Sequence, residues 1–298
     1  RIRGVQAEYV QEFLKKLNKG RTNRSHASES HRIIPQFVPV AFDELIPSLL
    51  AGKGDIAAAF LTMTPERKAE VDFVSPQGRL VDEILVAHKN AEPIEKLTDL
   101  SGRTVYVLKG SSYASHLSEL NKSLSLVDLP AVKIVNADNQ LLTEDILELV
   151  NAGIIAYTFC DDFKANLWAK ALPNIRLSRG VKLSSGQPIG WAIRPNSPLL
   201  RSAVSTFSND VKKGTFLGNI LFNKYYASTQ WINNPLAKTE RDKFEQTIDL
   251  FRRFGEEYGF DPLALAAQGY QESRLDQSLT SHMGAIGVMQ LLQSTAND

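Results

Sequence analysis

Several features that would assign a protein to a class at once are scarce in this 298-residue sequence. It has one cysteine, Cys160, which excludes an internal disulfide framework. Its 34 basic and 33 acidic side chains leave a formal net charge of +1, so the charge balance does not favour a nucleic-acid partner. No stretch approaches the roughly 18–20 apolar residues of a transmembrane helix. The sequence also lacks an initial methionine and a signal peptide, and its start at Arg1 favours its interpretation as a piece of a longer protein.

What is present is the composition of an ordinary globular protein, with 43% hydrophobic and 22% charged residues. Short strand patterns alternate with helical patterns, which is typical of open α/β sheets. The alternation restarts after a polar segment at residues 90–93, so we expect two lobes with a ligand cleft between them. The predicted first lobe comprises about residues 1–89 and 190–232, and the second about residues 90–189.

A linker is predicted over residues 228–240, where this pattern breaks off, and we place the domain boundary at residue 232. Beyond the linker the apolar residues recur at helical spacing, which predicts an all-α segment over 233–298. Within the first domain we also expect a strand over 33–41 and one long helical region from residue 199 to about 226. The predicted fold class is therefore a two-lobed α/β domain followed by an incomplete all-α module.

Three motifs follow one another in the first domain: Gly-Lys-Gly-Asp-Ile at 52–56, Thr-Met-Thr-Pro-Glu-Arg at 62–67 and Val-Asp-Phe-Val-Ser-Pro at 71–76. Their order resembles the family-3 bacterial extracellular solute-binding proteins. The resemblance implies a two-lobed periplasmic-binding-protein fold that closes on a polar amino acid or a related small molecule. An arginine at a helix start suits this task because its planar fork grips a carboxylate with two hydrogen bonds.

The residues that match ligand-binding positions of this family are Phe60, Thr62, Arg67, Ser111, Ser112 and Asp161. The resemblance implies that Arg67 and Thr62 hold a ligand carboxylate, that Phe60 offers its backbone carbonyl, and that Asp161 pairs with an ammonium group. The helix start at Ser111 and Ser112 favours an anion.

Each of these positions also has a structural interpretation, and the sequence leaves both open. Arg67 suits a salt bridge at a helix start, and either serine suits a helix N-cap. Asp161 or its neighbour Asp162 suits a cap as well. The His26 and His31 pair is interpreted as part of a solvated loop, and no metal site or cofactor is predicted.

A second constellation lies near the end of the sequence. Glu-Ser at 272–273 is followed by Ser-His-Met-Gly-Ala-Ile-Gly-Val-Met-Gln at 281–290. The spacing resembles the family-1 soluble-lytic-transglycosylase module, which has a goose-type-lysozyme-like helical fold. The resemblance implies cleavage of the MurNAc–GlcNAc bond of peptidoglycan to a 1,6-anhydro product. It makes Glu272 the single catalytic acid, which later acts as the base, and places Ser281, Gly284 and Gln290 in the glycan cleft. Asp276 is interpreted as a surface or loop residue.

The two domains in this order resemble membrane-bound lytic murein transglycosylases that carry a solute-binding domain. This implies a periplasmic protein of a Gram-negative cell with peripheral outer-membrane association. Its partners would be peptidoglycan strands and a small amino-acid-like or muropeptide ligand that regulates cleavage. Two alternatives remain: a pure amino-acid- or peptide-binding protein for transport or sensing, and a hydrolytic muramidase. Because only about 60 residues follow the linker, we expect this chain as given to bind ligand without cleaving glycan.

Overall fold

The computed structural model describes residues 4–22, 32–227, 229 and 238–296. The chain divides into two compact units, Arg1–Ile232 and Asn233–Asp298. His26 and His31 lie outside the described residues. Within the described ranges no helix is long and apolar enough to cross a bilayer. In the same ranges no three His, Cys, Asp or Glu side chains are grouped so that they hold a metal ion.

The first unit is built on a mixed sheet. Its strands run in the spatial order β1-β7-β3-β6-β4-β5, and β2 also pairs with β7. Strand β4 pairs in parallel with β5 and β6, whereas the other pairings are antiparallel. This architecture confirms the α/β fold class predicted for the first domain. The strands are β1 (Ile56–Thr62), β2 (Asp72–Val74), β3 (Leu80–His88), β4 (Thr104–Val107), β5 (Lys133–Asn136), β6 (Tyr157–Asp161) and β7 (Ile175–Ile193).

Strand β7 is long enough to serve both lobes. Its larger part pairs with β3, from Ile175 opposite His88 to Pro188 opposite Leu80. Its last residues pair with β1 and β2 of the first lobe. Strand β3 also pairs with β6, so residues 80–88 belong to the sheet of the second lobe. The chain therefore crosses between the lobes before β3, earlier than the predicted boundary. The polar segment at 90–93 comes directly after the last residues of β3. A turn within one lobe and a crossover between two lobes have the same polar composition, so composition alone did not distinguish them.

Helices cover the faces of this sheet. On one face of the second lobe, Leu85 and Phe159 pack against Tyr113 and Leu117 of α4. On the other face, alternate strand residues such as Ile84 pack against the helix α6. The helices of the first unit are α1 (Val5–Thr22), α2 (Leu45–Leu50), α3 (Pro65–Glu70), α4 (Ser112–Ser125), α5 (Thr143–Asn151), α6 (Asp162–Trp168), α7 (Pro198–Val211) and α8 (Phe216–Tyr226).

Two predicted elements differ from the structure. Residues 33–41 have no regular secondary structure and lie in no ladder among the described strands. Ile33 is held instead by the Asn18 side chain, which bonds both its N–H and its C=O at 2.9 Å. The long helical region is two helices, α7 and α8, separated at residues 212–215. Gly214 has φ +95° there, and the Thr215 hydroxyl caps the new helix by accepting from the Gly218 N–H at 3.1 Å.

Gly190 on β7 provides a test of how tightly β7 packs against β2. A Cβ added at Gly190 would lie 2.4 Å from the Val74 carbonyl oxygen, which is backbone and does not move aside cheaply. Gly190→Ala should therefore lower the free energy of unfolding of the first unit by about 1–3 kcal/mol. Gly180→Ala is the matched control, because it lies on the same strand and its Cβ would meet nothing within 4 Å. Equal denaturation midpoints for the two variants in urea would contradict this packing.

The second unit is helical, with α9 (Lys238–Tyr258), α10 (Pro262–Ser273) and the short α11 (Gln293–Ala296). Its core gathers Ile248, Phe251, Ala266 and Leu275. Helix α10 begins with an Asp261 cap, whose carboxylate accepts from the N–H groups of Leu263 at 2.7 Å and Ala264 at 3.0 Å. It ends at Arg274, which adopts the left-handed conformation with φ +55°.

Candidate functional site

Arg67 is placed by the sharp start of helix α3. Thr64 caps this helix by accepting from the Arg67 N–H at 3.4 Å, and Pro65 occupies the first helical position. The guanidinium donates to the Thr62 carbonyl at 2.9 Å and to the Gly110 carbonyl of the second lobe at 2.8 Å. These acceptors are neutral carbonyls, so they leave the positive charge and most of the roughly five donors available for a carboxylate. Arg67 therefore lies across the cleft from the first lobe to the second.

Thr62 and Phe60 lie at the end of β1, beside Arg67. Thr62 is buried, and its hydroxyl lies 3.1 Å from the hydroxyl of Ser112 in the second lobe. The Phe60 ring packs edge-on against Phe163 of α6, with ring centroids 5.2 Å apart. A second contact joins the lobes at the cleft, where Lys109 pairs with Asp43 at 2.8 Å. The structure thus brings the predicted first-lobe residues to one edge of the cleft.

The two serines at the start of α4 have different surroundings. Ser111 is the N-cap, since its hydroxyl accepts from the Ala114 N–H at 3.4 Å. The Ser112 hydroxyl donates to the Glu83 carboxylate at 2.6 Å. Gly110 precedes them with φ +72°, and a Cβ there would lie 2.9 Å from Asp43. The cap is thus observed for Ser111 and not for Ser112, and contact with a ligand stays a prediction for both serines.

Asp161 is the last residue of β6 and is buried, with 3% of its surface exposed. Its side chain makes no capping bond to α6; its carboxylate accepts from the Tyr113 hydroxyl at 2.8 Å. Burial raises the pKa of the Asp161 carboxyl to about 6, against the attraction of Lys164 and the Tyr113 hydrogen bond. Asp161 is therefore held toward α4 by Tyr113, and its pairing with an ammonium group stays a prediction.

Two neighbours of these residues were missed by the sequence reasoning. Glu83 is fully buried and faces Asp161 across the β3–β6 pair. His116 lies one helical turn after Ser112, and its Nδ1 is 2.6 Å from the second Glu83 oxygen. This hydrogen bond to Glu83 raises the pKa of His116. The available signal was an acid directly before the apolar run at 84–87 of strand β3.

The raised pKa of Asp161 predicts a pH effect on stability. A folded pKa above the ordinary value of 3.8 means that the folded state binds the proton more tightly. Asp161 therefore stabilises the fold below about pH 4 relative to higher pH, and this contribution, about 3 kcal/mol, is lost as the pH rises toward 6. Urea unfolding should show the stability of the wild-type chain falling relative to Asp161→Asn between pH 4 and pH 7.

Asp82 is the comparison for this pH effect, because its pKa is shifted in the opposite direction. The Lys182 side chain and the Gly186 N–H hold the pKa of Asp82 below its usual value. Its contribution is therefore present at neutral pH and is lost as the pH falls. A wild-type minus Asp161→Asn difference that stays flat from pH 4 to pH 7 would contradict the burial of an ionisable Asp161.

In the second unit, Glu272 lies in the last turn of α10 with its side chain exposed. The next residue, Ser273, is buried, and its hydroxyl donates to the Val288 carbonyl at 2.8 Å. Ser273 thereby ties the end of the helix to the glycine-rich turn. The sequence reasoning assigned it no role, although a hydroxyl next to Glu272 in the motif is consistent with such a tie.

The glycine-rich turn is shaped by its own hydrogen bonds. The Ser281 hydroxyl accepts from the Ala285 N–H at 3.0 Å. Gly284 has φ +83°, and a Cβ there would meet nothing within 4 Å, so the surface beside it is open. The Gln290 side-chain amide donates to the carbonyls of Leu279 at 3.1 Å and Gly287 at 2.9 Å. In these contacts Ser281 and Gln290 hold the turn, while Gly284 leaves room beside it.

Asp276 lies in the turn after α10. Its carboxylate accepts from the N–H of Ser278 at 2.9 Å and from the hydroxyl of Ser278 at 2.6 Å. These two bonds hold the pKa of Asp276 below its usual value. The contacts are those of an Asx turn, which agrees with the loop role expected from the sequence.

Comparison with known proteins identifies both units. Residues 1–228 match the bacterial extracellular solute-binding proteins, family 3. The chain belongs to this family. Residues 249–298 match the transglycosylase SLT domain.

The curated relatives carry both parts. The membrane-bound lytic murein transglycosylase F of Desulfosudis oleivorans is 31% identical over 262 residues, which are 86% of this chain and 55% of the relative. The protein of the same name from Shewanella pealeana is 29% identical over 256 residues, covering 85% of this chain and 51% of the relative. The chain is therefore similar to these transglycosylases and spans about half their length.

Solved structures share the fold of the first unit. An ancestral arginine-binding protein bound to arginine superposes with a TM-score of 0.60 at 24% identity, covering 76% of this chain and 89% of that chain. The ancestral amino-acid-binding protein AncCDT-1, a precursor of cyclohexadienyl dehydratase, gives a TM-score of 0.57 at 25% identity, covering 75% of this chain and 84% of that chain. The two-lobed fold expected from the solute-binding motifs is thus confirmed.

Proposed function

We propose that this chain belongs to a peptidoglycan lytic transglycosylase whose solute-binding domain, residues 1–232, senses a small ligand and regulates cleavage. The observation that carries the proposal is the presence on one chain of two constellations. Arg67 and Thr62 meet Ser112 and Asp161 at a cleft, and Glu272 precedes a glycine-rich turn in the second unit. The matches to the solute-binding family, to the SLT domain and to the relatives named lytic murein transglycosylase F support the combination.

The first unit would hold the ligand by its two charged ends. Arg67 and the Thr62 hydroxyl bind the carboxylate, with the Ser112 hydroxyl and the start of α4 beside them, and the Phe60 carbonyl and Asp161 take the ammonium group. Structural neighbours of the same fold include proteins described with arginine and with lysine. An amino acid or the peptide part of a muropeptide has the same zwitterionic ends. The ligand class is therefore an amino-acid-like molecule or a muropeptide.

The second unit would supply the catalytic acid. Glu272 protonates the oxygen that links MurNAc to GlcNAc, and that bond breaks. The C6 hydroxyl of MurNAc then closes on C1 and gives its proton to Glu272, so the acid is restored and no water is consumed. Ser281, Gly284 and Gln290 shape the surface beside it. Because Glu272 is exposed in the described residues, we expect the 298-residue chain to bind ligand without cleaving glycan at a measurable rate.

The location proposed for this protein is the periplasm, with attachment at the outer membrane. The support is the extracellular family of the first unit and the membrane-bound names of the relatives. Fractionation of a cell that expresses the protein tests this point: recovery with the cytoplasmic proteins would contradict it.

The test of the activity compares two chains on purified peptidoglycan sacculi. One is the 298-residue chain, and the other continues it with the residues of the Desulfosudis oleivorans relative that follow the aligned stretch. Mass spectrometry should find 1,6-anhydro ends with the extended chain only. Reducing ends instead would favour the hydrolytic muramidase. No release by the extended chain would favour the pure binding protein.

The test of the sensing part is calorimetry of the 298-residue chain with L-lysine, L-arginine and purified muropeptides. Binding of at least one of them is expected. Absence of binding to all of them would overturn the sensing proposal and leave the activity proposal to its own test.

A further inference from the structure

Helix α8 is anchored in the first lobe. Its Leu221 is buried in the core that also holds Val74 of β2. At the start of the helix, Gly218 packs so closely on the end of α7 that an added Cβ would clash with the Val211 carbonyl. The Tyr9 hydroxyl of α1 donates to the Gly218 carbonyl at 3.4 Å. The first half of α8 is therefore a fixed part of the first lobe.

The last turn of α8 carries two aromatic side chains that contact the second lobe. The ring of Phe163, in the first turn of α6, packs against Tyr226 with ring centroids 5.0 Å apart and against Phe222 at 5.9 Å. The rings of Phe222 and Tyr226 lie 4.6 Å from each other. Phe60 of β1 contacts Phe163 at 5.2 Å and Tyr226 at 6.2 Å. We call these four rings the interlobe aromatic cluster, because it joins β1 and α8 of the first lobe to α6 of the second.

Tyr226 packs against the cores of both lobes. It lies against the first-lobe core around Leu221 and against the second-lobe core around Trp168. Burial raises the pKa of the Tyr226 hydroxyl, and the charges of Lys164 on α6 and Glu144 on α5 act on it as well. Apolar surface that is buried between two bodies stabilises only the arrangement in which both are in contact. The packing of Tyr226 therefore depends on the relative position of the lobes.

The interlobe aromatic cluster also touches the crossing between the lobes. Arg79 comes directly before β3, and its guanidinium lies 3.2 Å from the centre of the Phe222 ring, within cation–π distance. Since α6 belongs to the second lobe and α8 to the first, a rotation about this crossing has to move Phe163 relative to Phe222 and Tyr226. Close-packed side chains part instead of stretching continuously, so the rings have a packed and a separated arrangement.

The same cluster lies where the chain leaves the first unit. Tyr226 is the last residue of α8, after which the chain runs on to the second unit. On the side facing α1, Glu8 accepts from Lys224 and from the Tyr225 hydroxyl, which keeps α8 on the first lobe in both arrangements. The last turn of a helix lacks partners for its final carbonyls and frays unless packing holds it. Separation of the rings therefore loosens residues 222–226.

We propose that the interlobe aromatic cluster couples lobe closure to the order of the last turn of α8. Closure packs the rings and orders the turn, and opening separates the rings and loosens it. The state of the lobes is thereby passed to the point from which the chain continues toward the second unit. The inference rests on the proposed function only for the final step, from this turn to glycan cleavage, and the coupling itself needs no ligand.

Pulsed electron paramagnetic resonance on the ligand-free 298-residue chain tests the effect on closure. Spin labels at Glu70→Cys on α3 and Ser123→Cys on α4 occupy exposed positions of the two lobes, and the native Cys160 is buried. Phe163→Ala should add a population with longer distances, because loss of the ring contacts shifts the closed-to-open ratio roughly tenfold. Phe216→Ala is the matched control: its ring on α8 is 84% exposed, and its loss should leave the distances unchanged.

Hydrogen exchange followed by NMR tests the effect on α8. The amides of residues 222–226 should exchange roughly tenfold faster in Phe163→Ala than in the wild type, while those of α7 stay as they are. Arg67→Ala removes the interlobe bond to the Gly110 carbonyl and leaves all four rings in place, yet it should also speed exchange in this turn. Arg67→Ala added to Phe163→Ala should speed it little further, because both changes act through the same opening.

Each outcome decides for or against the coupling. Equal distance distributions in Phe163→Ala and Phe216→Ala overturn it. Longer distances without faster exchange at residues 222–226 contradict it as well, since opening then does not reach the end of α8. Exchange that rises equally in α7 and α8 makes Phe163 a residue of general packing. If Phe163→Ala does not fold, Phe163→Leu keeps a buried apolar side chain without the ring and is judged by the same results. An extended chain that shows the coupling but cleaves no glycan contradicts the proposed function and not the coupling.

Discussion

Arg67→Ala should weaken the binding of L-lysine to the 298-residue chain by at least about 30-fold, and in calorimetry the heat of binding should fall accordingly. The reason is that a ligand carboxylate in the cleft loses its charged partner and remains buried. Truncating one member of such a pair costs about 2–5 kcal/mol. Arg67→Lys keeps the charge but loses the planar fork, so we expect an intermediate affinity.

The control for Arg67 is Arg201→Ala, which removes the same charge from the same unit. Arg201 pairs with Asp72 at 2.5 Å at a site where its side chain is 47% exposed. Its loss should leave the affinity within about twofold, since exposed pairs contribute little. An Arg67→Ala variant that binds as tightly as Arg201→Ala would show that Arg67 has only a structural role.

The contacts of Arg67 also suggest how ligand binding affects lobe closure. The guanidinium bonds the Gly110 carbonyl of the second lobe, and Ser112 contacts Thr62 of the first. A ligand carboxylate at Arg67 adds to these interlobe contacts through the start of α4. Because binding and closure then use the same residues, a ligand would stabilise the closed arrangement by the difference between its binding free energies for the closed and the open arrangement.

Most of the correct predictions rest on local motifs, whose residues are adjacent in the sequence. The Thr-Met-Thr-Pro-Glu-Arg segment encodes a strand end, a cap and a helix start within six residues, so the position of Arg67 follows from adjacent residues. The Asp-Pro pair that begins α10 is equally local. The binding roles of Arg67 and Asp161 stay predictions, because their contacts in the structure are to the protein itself.

The sequence pattern did not predict the features that depend on strand register. Glu83 enters the site because β3 pairs with β6 in a register that sets it opposite Asp161. Nothing in the composition of β3 fixes that register, and a shift by one residue would turn Glu83 to the other face. The position of the crossover between the lobes has the same cause, since β3 joins β6 of the second lobe through pairings distant in sequence.

The choice between Ser111 and Ser112 shows a finer limit. Both suit a helix cap by type, and the backbone of Ser111, with φ −72° and ψ +157°, makes it the cap. Ser112 is then the first helical residue, and its side chain points to Glu83 instead. One residue of offset at a helix start decides which hydroxyl caps the helix and which one contacts Glu83, and helix boundaries read from sequence are uncertain by more than one residue.

Glu272→Gln should lower the release of 1,6-anhydro ends by the extended chain by about 10²–10⁴-fold. Glutamine has nearly the same shape, so the fold and the glycan surface are retained. Its amide N–H groups are too weakly acidic to protonate the leaving oxygen, and the amide is too weak a base to accept the proton of the C6 hydroxyl. Both halves of the proposed mechanism use this one side chain, so its replacement removes both.

Two matched controls separate catalysis from fold in this measurement. Glu257→Gln makes the same change at an exposed position of the neighbouring helix α9, and Asp276→Asn alters the carboxylate of the turn after α10. Anhydro-end release should remain near wild type in Glu257→Gln and fall no more than a few-fold in Asp276→Asn. Equal losses in Asp276→Asn and Glu272→Gln would make the turn carboxylate a second catalytic group and contradict a mechanism with a single acid.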